Sequence, residues 1–159
     1  MDELLKILKN NALESAENIA KMLSIPVEEV RERIAAYEKE GVIKGYQAIV
    51  NEDVLKMEAV TAVIEVRVNP EREGGFNDIA NRISMFPEVQ SIYLVSGDFD
   101  LLLFVVGNDL REVAFFVSEK LATIDGVNGT ATHFMLKTYK HHGVLMESQE
   151  RYERLKVSP

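Results

Sequence analysis

The stretch Val89-Gln90-Ser91-Ile92-Tyr93-Leu94-Val95-Ser96-Gly97-Asp98-Phe99-Asp100-Leu101-Leu102-Leu103-Phe104-Val105-Val106 reads as strand, turn and strand. Residues 89–95 and 99–106 are rich in β-branched, aliphatic and aromatic side chains, and Ser96-Gly97-Asp98 between them has tight-turn chemistry. Both strands are apolar at consecutive positions: Ile92, Leu94 and Val95, then Leu101 through Val106. A sheet with one wet face would alternate apolar and polar residues. The missing alternation predicts a sheet buried on both faces.

Upstream, residues 59–68 are β-branched and read as another strand, followed by a polar loop over residues 69–75 with Pro70 and two glycines. Phe76, Ile79, Ala80 and Ile83 fall at helical spacing and predict a helix that ends before Pro87. Downstream, Leu110, Val113, Ala114, Val117 and Leu121 mark a second helix. Asp125-Gly126 then turns the chain into a long final strand over residues 129–140. The order is β-α-β-β-α-β, the ferredoxin-like split βαβ plan. Its two helices cover one face of the sheet. In a chain this short the simplest cover for the other face is a second copy, which predicts a C2 dimer.

The first 45 residues read as helices. Leu4, Leu5 and Leu8 set one apolar stripe, broken at Asn10-Asn11, and Ser15 is placed to cap a helix carrying Ile19, Ala20 and Leu23. Ser24-Ile25-Pro26 interrupts it. Pro26 suits the start of a third helix, with Val27, Val30, Ile34 and Tyr37 on one face and Gly41 as its stop. Two helices joined so tightly resemble a helix-turn-helix, although the pattern alone also fits any three-helix bundle. Residues 41–50 read as strand, turn and strand, a small wing.

Composition narrows the function. The chain has 159 residues, 18 Lys and Arg against 26 Asp and Glu, a formal net charge of −8 and no cysteine. Disulfides and thiolate metal sites are therefore excluded. The charged start Met1-Asp2-Glu3-Leu4-Leu5-Lys6 is unlike a signal peptide. The longest apolar runs, residues 101–107 and 113–117, fall far short of the ~20 residues of a membrane helix. The expectation is a cytoplasmic protein with no membrane segment. No nucleophile motif, phosphate loop or dinucleotide fingerprint is present, so no enzyme activity and no cofactor are expected. His141-His142 is a poor metal pair if it lies in a strand, where neighbours point to opposite faces.

Four segments together resemble the leucine-responsive and asparagine-operon regulators, the Lrp/AsnC or feast/famine family. They are Leu23-Ser24-Ile25-Pro26 leading into Val30-Arg31-Glu32-Arg33-Ile34; Glu38-Lys39-Glu40-Gly41-Val42-Ile43-Lys44-Gly45-Tyr46; Phe86-Pro87-Glu88-Val89 running to Ser96-Gly97-Asp98-Phe99-Asp100-Leu101; and Gly126-Val127 running to Thr130-Ala131-Thr132 and Leu136-Lys137. The resemblance spans roughly residues 2–145. It implies an α+β protein: a winged helix-turn-helix over residues 1–45, a hinge strand and linker over 46–58, a ferredoxin-like effector-binding and dimerisation domain of the RAM type over 59–145, and a tail over 146–159. It also implies double-stranded DNA and an amino acid or related metabolite as partners, with dimers that assemble further, often to octamers.

The turn Ser96-Gly97-Asp98-Phe99-Asp100 is the candidate effector site. Gly97 tolerates φ > 0 and leaves backbone N–H groups open to a carboxylate, while Asp98 or Asp100 can pair with an ammonium. Read alone, Gly97-Asp98 is equally an ordinary hairpin turn. Phe99 and Tyr93 are pocket-lining or core aromatics. Thr130 and Thr132 share one strand face by the period of two and can donate to a carboxylate. The resemblance sets them against the Gly97 turn of a neighbouring subunit.

The candidate DNA-binding residues are Lys21, Pro26, Val27, Glu28, Arg31, Glu32, Lys39 and Lys44. With Val30 and Ile34 inward, Glu28, Glu32, Ala35 and Lys39 point outward, Arg31 flanks them, and Arg33 lies near the core. Residues 1–45 hold seven Lys/Arg and nine Asp/Glu, whereas phosphate binding draws on Lys and Arg. The expectation is weak, multivalent DNA contact. Two other readings stay open: a sensor that has lost DNA binding, and an enzyme of the same architecture resembling sirohaem decarboxylases. The latter would use His133 and His141-His142 with Arg67 or Arg111.

Overall fold

A computed structural model describes residues 1–55, 59–69 and 75–147. The chain divides into two compact units, Met1–Val50 and Asn51–Pro159. The loop around Pro70, the end of the linker and most of the tail expected over residues 146–159 lie outside the described residues. No described helix is long and apolar enough to cross a membrane.

In the first unit, α1 (Glu3–Asn10), α2 (Ala16–Leu23) and α3 (Val27–Lys39) enclose a small core of Leu4, Leu8, Ile19, Ala20 and Val30. Ser15 caps α2: its Oγ accepts from the Asn18 N–H at 3.1 Å. Ser24 then takes the left-handed region (φ 55°), and Pro26 (φ −60°) stands as N-cap of α3, making the α2–α3 turn tight. Gly41 (φ 72°) ends α3, and the N–H groups of Val42 and Ile43 donate to Tyr37 O. That is the left-handed stop expected of glycine after a helix.

Asp2 ties α1 to α3. Its Oδ2 accepts from Tyr37 Oη at 2.5 Å and from the Arg33 guanidinium at 2.7 Å. The Tyr37 hydrogen bond, helped by Arg33, holds the Asp2 carboxyl below the usual carboxylate range.

The wing expectation fails. Residues 41–50 form no strand pair, and Val42, Tyr46, Ile49 and Val50 are exposed. An isolated two-stranded ribbon is marginal in water, and no third strand of this unit is available to support it. What orders the segment is the Tyr37 carbonyl and the Tyr46 hydroxyl, which donates to Glu38 at 2.9 Å. The described part of the hinge segment, residues 46–55, forms no strand and contains one helical turn, α4 (Glu52–Leu55).

The second unit contains β1 (Val60–Val68), α5 (Gly75–Ser84), β2 (Val89–Leu94), β3 (Leu101–Gly107), α6 (Leu110–Phe115, continuing as a π-helical turn, Phe116–Leu121) and β4 (Val127–Phe134). The sheet order is β2-β3-β1-β4, all pairs antiparallel. One face carries Ala62, Ile64, Val66 and Val68 of β1 with Leu101, Leu103 and Val105 of β3. All are buried beneath Ile79 and Ile83 of α5 and Val113, Phe116 and Leu121 of the second helical segment. Leu110 and Ala114, expected in that buried stripe, are exposed instead. Phe116, not expected there, fills the core edge-on to Phe86.

The opposite face carries Tyr93, Leu102, Phe104, Val106, Thr61, Val63 and Glu65, which the ladder registers place on one side. Among the described residues of the second unit nothing covers them fully: Leu102, Phe104, Val106 and Val63 are half-buried and Tyr93 is exposed.

The final strand is shorter than expected. β4 stops at Phe134, opposite Ala62, and the Met135 N–H makes the last bond, to Thr61 O. The register sets Leu136 against Val60, the first residue of β1, but the ladder has ended before that pair, and Leu136 is 95% exposed. The chain then makes a small hairpin, β5 (Lys140–His141) with β6 (Val144–Leu145). Its turn is His142 (φ 45°) and Gly143 (φ 88°), both positive as a primed turn requires. His142 is thus a turn residue rather than a strand neighbour of His141, and the two rings meet edge-to-face.

Asp2 generates a prediction. Because its folded-state carboxyl is depressed, its stabilisation is fully present above the ordinary carboxylate range and is lost as pH falls through the lowered value. Asp2→Asn is expected to destabilise the first unit by about 1 kcal/mol at neutral pH, and the difference from wild type is expected to vanish in strong acid. Thermal melts across pH check it; a difference that persists in acid contradicts the assignment.

Candidate functional site

The turn between β2 and β3 is wider than the sequence suggests. The Val95 N–H donates to Asp100 O, so residues 96–100 all lie outside the strands, and Phe99 and Asp100 are turn residues rather than the start of β3. Asp100 explains why. Its N–H donates to Val66 O at 3.0 Å, and its Oδ2 accepts from the Val68 N–H at 2.8 Å. One carboxylate oxygen of Asp100 is thereby committed to holding the turn on the end of β1.

Ser96, Gly97 and Asp98 project from this anchored base and are exposed, while Phe99 is half-buried. Gly97 has φ 149° and no heavy atom near the position a Cβ would take. Asp98 makes no side-chain hydrogen bond or ion pair among the described residues. Its backbone carbonyl accepts from Arg67 Nε at 3.1 Å. Arg67 was missed as a turn residue. A lone arginine in an apolar strand was the visible signal, but its reach depends on strand register.

Thr130 stands opposite Val66 and Thr132 opposite Ile64. They share a face, as the period of two requires, and it is the helix-covered face. Leu101, Val66 and Thr130 form one row across β3, β1 and β4. Within one chain the turn and the threonines therefore sit at the same end of the sheet, about 10 Å apart across β1.

On α3, Glu28, Glu32, Ala35 and Lys39 are exposed on the outward side, and neither Glu28 nor Glu32 has a partner among the described residues. Arg31 Nη2 is held by Glu17 of α2 at 2.5 Å. Arg33 is half-buried and serves Asp2 and Glu29. Val27 is half-buried and packs against the core of the first unit. Pro26, Lys21, Lys39 and Lys44 are exposed.

The residues required by the decarboxylase reading are scattered. His133, paired with Glu65 at 3.2 Å, stands opposite Val63, four residues along β1 from Arg67. That is about 13 Å of strand. His141 and His142 lie in the separate hairpin, and Arg111 is on α6.

The Lrp/AsnC ligand-binding domain family matches residues 61–145, most of the second unit. An uncharacterized HTH-type transcriptional regulator of Bacillus subtilis (strain 168), YugG, is 48% identical over 99% of this chain and 95% of its own. Among solved structures, an AsnC family transcriptional regulator from Agrobacterium tumefaciens is 26% identical, with a TM-score of 0.67 over 96% of this chain and 99% of its own. The transcriptional regulator NMB0573 of Neisseria meningitidis, solved as its L-Met complex, is 23% identical, with a TM-score of 0.69 over 89% of this chain and 93% of that one. The chain belongs to the Lrp/AsnC family of transcriptional regulators.

The Asp100 anchor is testable. Asp100→Ala leaves the Val68 N–H without its acceptor and is expected to lower stability by about 1–3 kcal/mol, while Asp100→Asn, which keeps an acceptor oxygen, loses less. Urea unfolding of the two variants checks the order; equal losses contradict the bond's role.

Proposed function

We propose that this protein is a cytoplasmic transcriptional regulator in which α2 and α3 form a helix-turn-helix that docks on double-stranded DNA. The second unit, a ferredoxin-like domain of the RAM type, dimerises through its uncovered sheet face and takes an amino acid or related metabolite at the Gly97 turn. Family membership and the tight Ser24–Pro26 turn support the first part. The single observation that carries the second is the anchored, exposed turn carrying Gly97 and Asp98, in the domain whose Neisseria relative was solved with L-Met. Gly97, Asp98 and Phe99 contact the effector directly, and Asp100 holds their backbone in place. Thr130 and Thr132 approach from a neighbouring subunit. Dimers assemble further, to octamers.

DNA contact through one head is weak. Glu28 and Glu32 face outward, and Arg31 is already paired. Lys21, Lys39 and Lys44 are the remaining phosphate contacts, with the Pro26 end of α3 facing the groove. The carboxylates of Glu28 and Glu32 are placed to accept from cytosine N4 amino groups. Assembly compensates through multivalency. The same charge pattern favours a second reading, a sensor that has lost DNA binding. No enzymatic step is assigned, because the histidines and arginines such chemistry would gather are dispersed.

Salt titration of binding to the promoter region of the protein's own gene, with and without amino acids, separates these readings. Three phosphate contacts predict a log–log slope of about −3 per head, shallow for a DNA-binding protein. Absence of any complex at low salt favours the pure sensor and sinks the regulator mechanism.

A further inference from the structure

We infer that Arg67 is the residue that holds the effector's carboxylate, and that it and Asp98 together select a zwitterion. This inference rests on the effector reading of the Gly97 turn and deepens it. Arg67 sits one residue before the end of β1, on the sheet face away from the helices, and its side chain is exposed. It is not a loose surface cation: Nε donates to Asp98 O at 3.1 Å, which fixes the guanidinium against the turn. That bond uses one edge of the group. The two terminal nitrogens have no partner among the described residues, so the end-on fork stays open. An open guanidinium fork matches a carboxylate in a bidentate, planar arrangement that an ammonium cannot reproduce.

The opposite charge is supplied by the same turn. The Asp98 carboxylate is exposed and makes no ion pair with Arg67, although its own backbone carbonyl carries the arginine. Other acids near the turn are engaged: Asp100 accepts from the Val68 N–H, and Glu65, two residues along β1, pairs with His133. The turn therefore presents one fixed cation and one free anion that do not neutralise each other, with the unobstructed Gly97 backbone beside them. A molecule carrying both an α-carboxylate and an α-ammonium satisfies both groups at once, whereas a simple acid or a simple amine satisfies one. The side chain of the amino acid makes no demand on either charge, so Arg67 sets the class of ligand rather than the member.

The test is calorimetry of the full-length protein against the standard L-amino acids, followed by the amide of whichever amino acid binds. Wild type is expected to prefer the acid over its amide. Arg67→Gln is expected to weaken the acid about 10- to 100-fold, the range for a lost charge-assisted pair, and to leave the amide nearly unchanged. Arg67→Lys, which keeps the charge without the fork, is expected to fall between. Melting of the unliganded variants checks that the fold persists. Undiminished binding by Arg67→Gln overturns the role of Arg67. Equal weakening of acid and amide also overturns it, since that is what simple loss of turn structure would give. If wild type binds no amino acid at all, the effector reading itself falls, and Arg67 with it.

Discussion

A four-stranded sheet has two faces, and the described residues of the second unit cover only one of them. α5 and the second helical segment seal Ile64, Val66, Leu101, Leu103 and Val105 completely. Leu102, Phe104, Val106, Val63 and Tyr93 lie across the other face with no described helix of this unit above them. Full burial of such side chains is worth about 1.5–3 kcal/mol each relative to exposure, and these are roughly halfway there. Several kcal/mol therefore remain available to whatever covers the face. An exposed ion pair is worth about 0–1 kcal/mol, so no arrangement of the surface charges competes with this term. A second copy of the chain is the proposed cover, because its identical apolar row meets this one about a two-fold axis.

Anchoring of the Gly97 turn depends on the same sheet. Val66 and Val68 point their side chains into the sealed core while their backbone groups hold Asp100. Arg67, between them, projects to the other side and reaches the turn. The alternation of a single strand thus divides the work: even-numbered residues pack and Arg67 reaches the turn. Because the turn is fixed at its base, a ligand at the proposed site would meet a preorganised backbone, which lowers the ordering cost of binding.

What the sequence made legible was local. Ser15 caps α2, Gly41 stops α3 and the alternating helices and strands of the second unit appear in order, because each follows from chemistry within a few residues. Gly97 and Asp98 were likewise visible as an exposed turn. What depended on distant partners was not visible. The wing and the end of β4 needed knowledge of which strands would be available to pair. The structural bond of Asp100 to Val68 depends on the register of distant strands, and so does the contact of Arg67, named in the sequence only for the decarboxylase reading, with Asp98. Val27 packs against the core of the first unit, as its place on the apolar face of α3 with Val30 and Ile34 suggests. The head's charge balance was readable from composition, but not that Glu17 already occupies Arg31.

Sedimentation equilibrium of the unliganded protein, beside a Phe104→Glu variant, tests the role of the uncovered face most directly. Phe104 lies at the middle of that face, edge-on to Tyr93 and opposite Val63, outside the sealed core. The expected wild-type mass is at least twice the 17.9 kDa chain, and the expected mass of the Phe104→Glu variant, with helix and strand content retained, is that of the dissociated chain. A wild-type protein that stays at the mass of one chain at micromolar concentration, or a folded Phe104→Glu variant that assembles as wild type does, contradicts a dimer built on this sheet.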